Sequence, residues 1–191
     1  MCTVLLHELK QIIEKESGKT YGTHAVLSAM ITKMCLSLYS LKNDEKCSVL
    51  SVADIRGRIK NMPHEFVGNA VSNIPSNDFS SNASFADIAE AVDMPLKAML
   101  SNPEKFEEYI ILNLYAMKYQ LPFVPFDVKG MNAKRPTTIY INNFSRFPMY
   151  DVDFGKGKPI SIIPHDLPDA VKVFPTPDGK GVDIFFKGYL A

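Results

Sequence analysis

The 191-residue chain reads as an α/β domain built on one mixed β-sheet covered by helices. Three observations carry this. Helical periodicity recurs through most of the first 121 residues, and β-branched and aromatic runs take over after Thr137. An early strand-like segment also lies far in sequence from the later ones. Amphipathic helices followed by strands that must pair over long separations pack as a sheet beneath a helical layer.

Taken in order, Leu5, Leu9, Ile12 and Ile13 make one apolar stripe behind a Thr3 cap, and Gly18 stops that helix. Thr23 is placed to cap the next helix, whose Leu27, Met30, Ile31, Met34 and Leu38 share one face. Cys47 to Ile55 mixes Val, Leu and Ser and reads as a strand leading into the basic turn Arg56 to Lys60. Pro63 ends regularity, and Ser72 to Ser84, rich in Asn, Ser and Pro, reads as a loop. Ser84 caps a helix over Phe85 to Leu100, which Pro95 should kink or split. Asn102-Pro103-Glu104 opens another helix with proline in its first turn, burying Phe106, Ile110, Leu114, Met117 and Leu121. Strands are then expected at Thr138–Ile141, Ile160–Ile163 and Val171–Phe174, and through the alternating Val182, Ile184 and Phe186. Pro177-Asp178-Gly179 is the turn between the last two.

Composition narrows the function classes. Lys plus Arg equals Asp plus Glu at 21 each, so no global field draws nucleic acid or an anionic membrane. Three cysteines, Cys2, Cys35 and Cys47, are too few and too irregular for a disulfide framework or a zinc site, and Cys35 is expected in the core. The N-terminus lacks the basic start of a secretory signal, which makes a cytoplasmic location the expectation. No run is long and apolar enough for a transmembrane helix. His7, His24 and His64 lack acidic or cysteine partners at ligand spacing, and no metal is expected; His24 reads as a structural residue in the first turn of its helix.

The ten residues Tyr150–Pro159, YDVDFGKGKP, closely resemble the DFGWGKP signature of the plant and fungal BAHD acyltransferases. Other segments fall in the family's order. Thr23-His24-Ala25-Val26-Leu27-Ser28-Ala29 is similar to its helix opening, Asp54-Ile55-Arg56-Gly57-Arg58 to its arginine segment, and Phe66-Val67-Gly68-Asn69-Ala70-Val71 to its Gly-Asn element. The resemblance implies one half of a chloramphenicol acetyltransferase-like two-domain fold, with residues 1–191 a single domain similar to the C-terminal one. It also implies that the HxxxDG motif holding the family's catalytic histidine belongs to an N-terminal domain outside these residues.

What the resemblance implies for chemistry is specific. Asp153, Phe154, Gly155, Gly157, Lys158 and Pro159 are an architectural motif in which the glycines relax the backbone and the aspartate fixes the turn, with Arg56 or Arg58 as its expected partner. The family's tryptophan is Lys156 here. Asn142, Asn143 and Phe144 match the family's T-S-W; Asn142 is the candidate oxyanion donor, and the same two asparagines equally read as the end of a strand. Arg56, Arg58 and Lys60 are candidates for the phosphates of coenzyme A, or simply a solvated turn. His165-Asp166-Leu167-Pro168-Asp169 spells HxxxD literally, but Ala170 stands where glycine belongs and the match follows the signature instead of preceding it.

The expected function is therefore the C-terminal part of an acyltransferase moving an acyl group from acyl-CoA, a co-substrate, to a small hydroxyl or amine acceptor. No permanently bound cofactor is expected, and turnover requires the HxxxDG domain as partner. Two other readings stand beside it: a trimer resembling chloramphenicol acetyltransferase that uses His165 across subunits, and a non-catalytic binding module that keeps the fold.

Overall fold

Two helices, α1 (Thr3–Ser17) and α2 (Thr23–Leu38), precede strands β1 (Lys46–Asp54), β2 (Val71–Pro75) and β3 (Phe79–Ser80). Helices α3 (Phe85–Leu100) and α4 (Pro103–Lys118) follow, then β4 (Thr138–Asn143), β5 (Ala170–Pro175) and β6 (Val182–Phe185). The computed structural model describes residues 3–38, 44–60, 62–119, 138–164 and 170–186.

The sheet runs β2-β1-β4-β5-β6, with β3 also on β1. Strands β1, β4 and β5 are mutually parallel, while β2, β3 and β6 add antiparallel edges. The expected mixed α/β sheet is thus observed. Parallel neighbours far apart in sequence need long crossovers, and α3 and α4 occupy the connection from the β1–β3 region to β4. The core lies between one sheet face and α1 to α3: Val49, Ile141 and Val173 from the central strands meet Ile13, Leu27, Ile31 and Ile88 from the helices. A smaller cluster joins Ile55, Ala70 and Ile74 to Leu96 and Met99 of α3 and Ile110 of α4.

Several elements differ from expectation. In α1 the inward stripe is Leu6, Leu9 and Ile13, while Leu5 and Ile12 are exposed. Gly18 does end it, with φ +69 and its amide on the Glu14 carbonyl at 2.8 Å. Thr23 is the first residue of α2, and its hydroxyl accepts from Lys10 Nζ of α1 at 2.7 Å. The turn before α2 is held by Asp93 of α3, whose Oδ1 accepts the Gly22 amide at 3.2 Å while its Oδ2 pairs with Lys97 at 2.5 Å. Helix α2 buries far more than one stripe, from Ala25 to Ala29 plus Ile31, Thr32 and Cys35, whereas Met34 and Leu38 face solvent. Its small residues let it lie close to both α3 and the sheet. Leu114 of α4 is exposed, Ile110 packs inward, and the side chains of Phe106 and Met117, with Leu121, lie outside the described residues.

Strands β2 and β3 occupy the segment expected to be a loop. Polar edge strands carry little β signal, and Ser72-Asn73-Ile74-Pro75 pairs with β1 because Ile74 alone is needed to reach the core. Conversely, the expected strand Ile160–Ile163 pairs with no described residue. Pro95 neither splits α3 nor leaves a wasted acceptor. The Ala91 carbonyl that a residue-95 amide would have met takes the Asn77 amide at 3.0 Å.

Helix α3 begins as expected at Ser84, which forms a full capping box with Asp87, each side chain taking the other's amide at 3.1 Å. Ser84→Ala should lower folding stability by about 1 kcal/mol in urea denaturation, while Ser84→Asn should retain most of it.

Candidate functional site

Because β1, β4 and β5 are parallel, their C-terminal ends lie along one edge of the sheet: Ser51–Asp54, Asn142–Asn143 and Phe174–Pro175. Open sheets of this kind collect ligands beyond the carboxyl ends of their strands. Strand alternation divides the two asparagines. Ile139 and Ile141 are buried under the helices, so Asn143 points to that side and Asn142, with Tyr140, to the other.

On the helical side, His24 from the first turn of α2 lies between strands β4 and β1. Its Nδ1 is 3.2 Å from Asn143 Nδ2, and its Nε2 is 2.8 Å from Ser51 Oγ and 3.4 Å from Ser28 Oγ. The spelling Ser-His-Asn invites a nucleophile reading, but the proton arrangement opposes it. Asn143 Oδ1 accepts the Ser145 amide at 3.0 Å, so its NH2 group faces His24 and donates to Nδ1. The proton of a neutral ring then sits on Nε2 and is donated to Ser51, which therefore meets no base. Burial holds His24 well below the usual histidine range, at about 4, with the Asp93 carboxylate a weaker opposing influence. Neutral His24 is a strut joining α2 to the ends of β1 and β4.

On the opposite face Asn142 stands beside Lys172 in the parallel register. Val171 and Val173 belong to the core under the helices, which puts the buried Lys172 on the Asn142 side. The same face carries Tyr140, whose hydroxyl donates to Asn73 Oδ1 at 3.3 Å and is pushed upward in pKa by burial. Just past the strand, Phe144 stacks on Phe174 at 5.1 Å and meets Phe147 edge-on at 5.4 Å. Asn142 thus shares its sheet face with the buried Lys172, its register partner, and with the Phe144–Phe174 stack past the strand end. Sequence reading missed Lys172, although a lysine amid Ala-Val-Lys-Val-Phe is itself a signal.

Asp153 organises the DFGKGKP turn through one oxygen, which accepts the amides of Gly155 at 2.7 Å and Gly157 at 3.0 Å. Both glycines have positive φ, +86 and +94, which a side chain would resist. Lys158 pairs with Asp151 at 3.0 Å, while Phe154 projects into solvent and Pro159 follows. The expected arginine partner of Asp153 is absent from this arrangement. Arg56 instead pairs with Asp54 at 2.9 Å and donates to the carbonyls of Phe66 and Gly68. That guanidinium closes the loop from 56 to 68 with three of its five N–H groups, and Arg58 and Lys60 are exposed on the same turn. Gly57 is required there, since its φ is +66 and the His64 ring lies where a Cβ would project.

His165 and the HxxxD spelling that follows it lie outside the described residues. Among the described residues no cluster of His, Cys, Asp or Glu is arranged to hold a metal ion, and no helix is long and apolar enough to cross a membrane. Cys35 is buried as expected, and burial raises its thiol to about 11 and that of Cys47 in the same direction, so neither is a ready nucleophile.

The model of a protein family described as "Transferase family" matches residues 4–187. Among solved structures, vinorine synthase aligns with a TM-score of 0.68 at 20% identity, over 97% of this chain and 42% of its own. TRI101 of F. sporotrichioides, crystallised with coenzyme A and T-2, gives 0.66 at 20% identity, over 93% of this chain and 43% of its own. TRI101 of F. graminearum with coenzyme A and deoxynivalenol gives 0.63 at 18%, over 91% and 40%. At such identities the likeness is one of fold, and the chain spans about two-fifths of the length of each of these proteins.

Proposed function

Since the chain belongs to the BAHD acyltransferase family, we propose that it forms the C-terminal part of a cytoplasmic acyl-CoA-dependent O- or N-acyltransferase. The family's remaining part, with its HxxxDG histidine, supplies the base. In that reaction the base removes the acceptor's hydroxyl or amine proton, and the freed oxygen or nitrogen attacks the thioester carbonyl. The resulting oxyanion collapses with cleavage of the C–S bond, and the departing thiolate takes the proton back from the imidazolium. Asn142 is this chain's contribution to the oxyanion, donating from the end of β4. Arg58 and Lys60 are the basic residues left available to coenzyme A phosphates, with Arg56 holding their loop in shape.

The observation that carries the reading is the family match along residues 4–187, with DFGKGKP in the connection that follows the strand bearing Asn142. Supporting it, CoA-bound relatives share this fold. To test it, the chain is expressed alone and together with the HxxxDG-bearing part of a family member, and thiol release from acetyl-CoA is followed with a panel of small alcohols and amines. Turnover is expected only in combination. Turnover by the chain alone, abolished by His165→Ala, would replace this reading with the self-assembling one.

A further inference from the structure

Helix α4 has two unlike faces. Ile110 packs on the smaller core cluster with Leu96 and Met99 of α3, whereas Ile111 is 65% exposed, Leu114 61%, Tyr115 54% and Tyr119 52%. Spacings of three and four residues place those four side chains along one stripe of the helix. Single apolar residues on a surface are ordinary, but a continuous stripe of large ones marks an interaction surface. Its aromatic end is already arranged. The Tyr115 and Tyr119 rings lie 4.5 Å apart, and Lys118 Nζ stands 5.2 Å from the Tyr119 ring. Tyrosines ordered in this way lose little rotamer freedom on being buried.

Charge flanks the apolar middle. Stepping back from Ile111 by three and four residues reaches Glu108, Glu107 and Glu104, and stepping forward along the same stripe reaches Lys118. Glu104, Glu108 and Lys118 are exposed and Glu107 is half-buried. No ion pair joins any of the four to another described side chain. Glu104 and Glu108, one turn apart, repel each other in the chain alone. Acids first and lysine last suit the dipole of the helix itself, but that leaves the apolar centre unexplained.

We infer that this stripe is a two-fold interface on which α4 packs antiparallel against α4 of a second copy of the chain. Charge complementarity selects the occupant. Turning the helix end for end about an axis near residue 113 sets Ile111 against Tyr115 of the other copy and Lys118 beside its Glu107 and Glu108, and symmetry repeats each contact. Parallel pairing would instead oppose acid to acid and lysine to lysine. A face one helix wide is small for a specific interface, so the dimer is reversible rather than obligate. The inference goes beyond the transferase reading and uses none of the residues assigned to that site.

Sedimentation equilibrium of the full chain should show a monomer–dimer equilibrium. Ile111→Gln/Tyr115→Gln should raise its Kd about 100-fold, with melting within a few degrees of the parent because both side chains are in water in the monomer. Lys118→Glu alone, and Glu107→Lys/Glu108→Lys alone, should each raise it about 10-fold. Mixing those two charge variants should restore a dimer of unlike chains, since every Lys–Glu contact is then regained. A chain that stays monomeric at every concentration would overturn the inference, as would a dimer that none of the variants weakens. Charge variants that weaken the dimer but do not rescue each other would overturn the antiparallel pairing on which it rests. A monomeric chain that binds the HxxxDG-bearing part of a family member, and loses that binding with Ile111→Gln/Tyr115→Gln, would assign the face to that part and overturn the inference while leaving the transferase reading intact.

Discussion

Acidification from pH 7 to 4 is expected to remove about 3 kcal/mol of folding stability through His24 alone. The sign follows from the direction of the shift. Unfolded histidine takes its proton near 6.5, whereas in the folded chain burial delays protonation to about 4. Between those values only the unfolded state gains the proton, so the contribution is complete above 6.5, drains as pH falls, and stops changing below about 4. Protonation also sets an N–H on Nδ1 against the Asn143 NH2 donor 3.2 Å away. Carboxylates add their own acid dependence, and Asp93, the charged group acting on His24 from α3, favours the imidazolium slightly. The comparison must therefore be between the parent and His24→Phe. At pH 7 the variant should be less stable by about 1–3 kcal/mol, because Ser51 and Asn143 lose a buried partner. Its stability should decline more gently below 6.5, so that the two urea-midpoint curves converge near pH 4. Parallel curves would show that the ring protonates as freely folded as unfolded.

This strut was only half legible in the sequence. His24 read as a structural residue in the first turn of its helix, and nothing within 26 residues of it predicts Ser51 or Asn143 as neighbours; the parallel pairing of β1 and β4 brings them together. Local signals performed well where local physics decides. The Ser84 box, the Gly18 stop, Pro103 at the start of α4 and the Thr176–Gly181 turn are all set by residues a few positions apart. They failed where a remote partner decides. Periodicity chose Leu5 and Ile12 over Leu6, and expected one stripe on α2, because it cannot show that α2 is enclosed by α3 and the sheet together. The break expected at Pro95 did not appear because the rescuing amide comes from Asn77, 18 residues earlier. The turn expected at DFGKGKP is there, yet Asp153 accepts the nearby glycine amides instead of the arginine partner expected for it, and Arg56 went to the carbonyls that close its own loop.

Asn142 and Asn143, equivalent in the sequence, should separate sharply on mutation. Asn142→Ala is expected to cost the reconstituted transferase about 100- to 1000-fold in kcat, the usual loss for one oxyanion donor, with less than about 1 kcal/mol change in stability. Asn143→Ala should do the reverse, destabilising the chain by about 1–2 kcal/mol as both the His24 contact and the Ser145 turn are lost. The reasoning is the pleat of β4: one residue faces the helices and holds a strut, the other faces Lys172 at the open end of the sheet. If Asn142 acts on the oxyanion, its variant should lose kcat with KM for acyl-CoA little changed, because the ground-state carbonyl draws far less on that donor than the developing charge does. A loss confined to KM in the Asn142 variant would move that residue from the reacting centre to substrate binding. Full activity with Asn142→Ala would place the oxyanion elsewhere in the assembled enzyme.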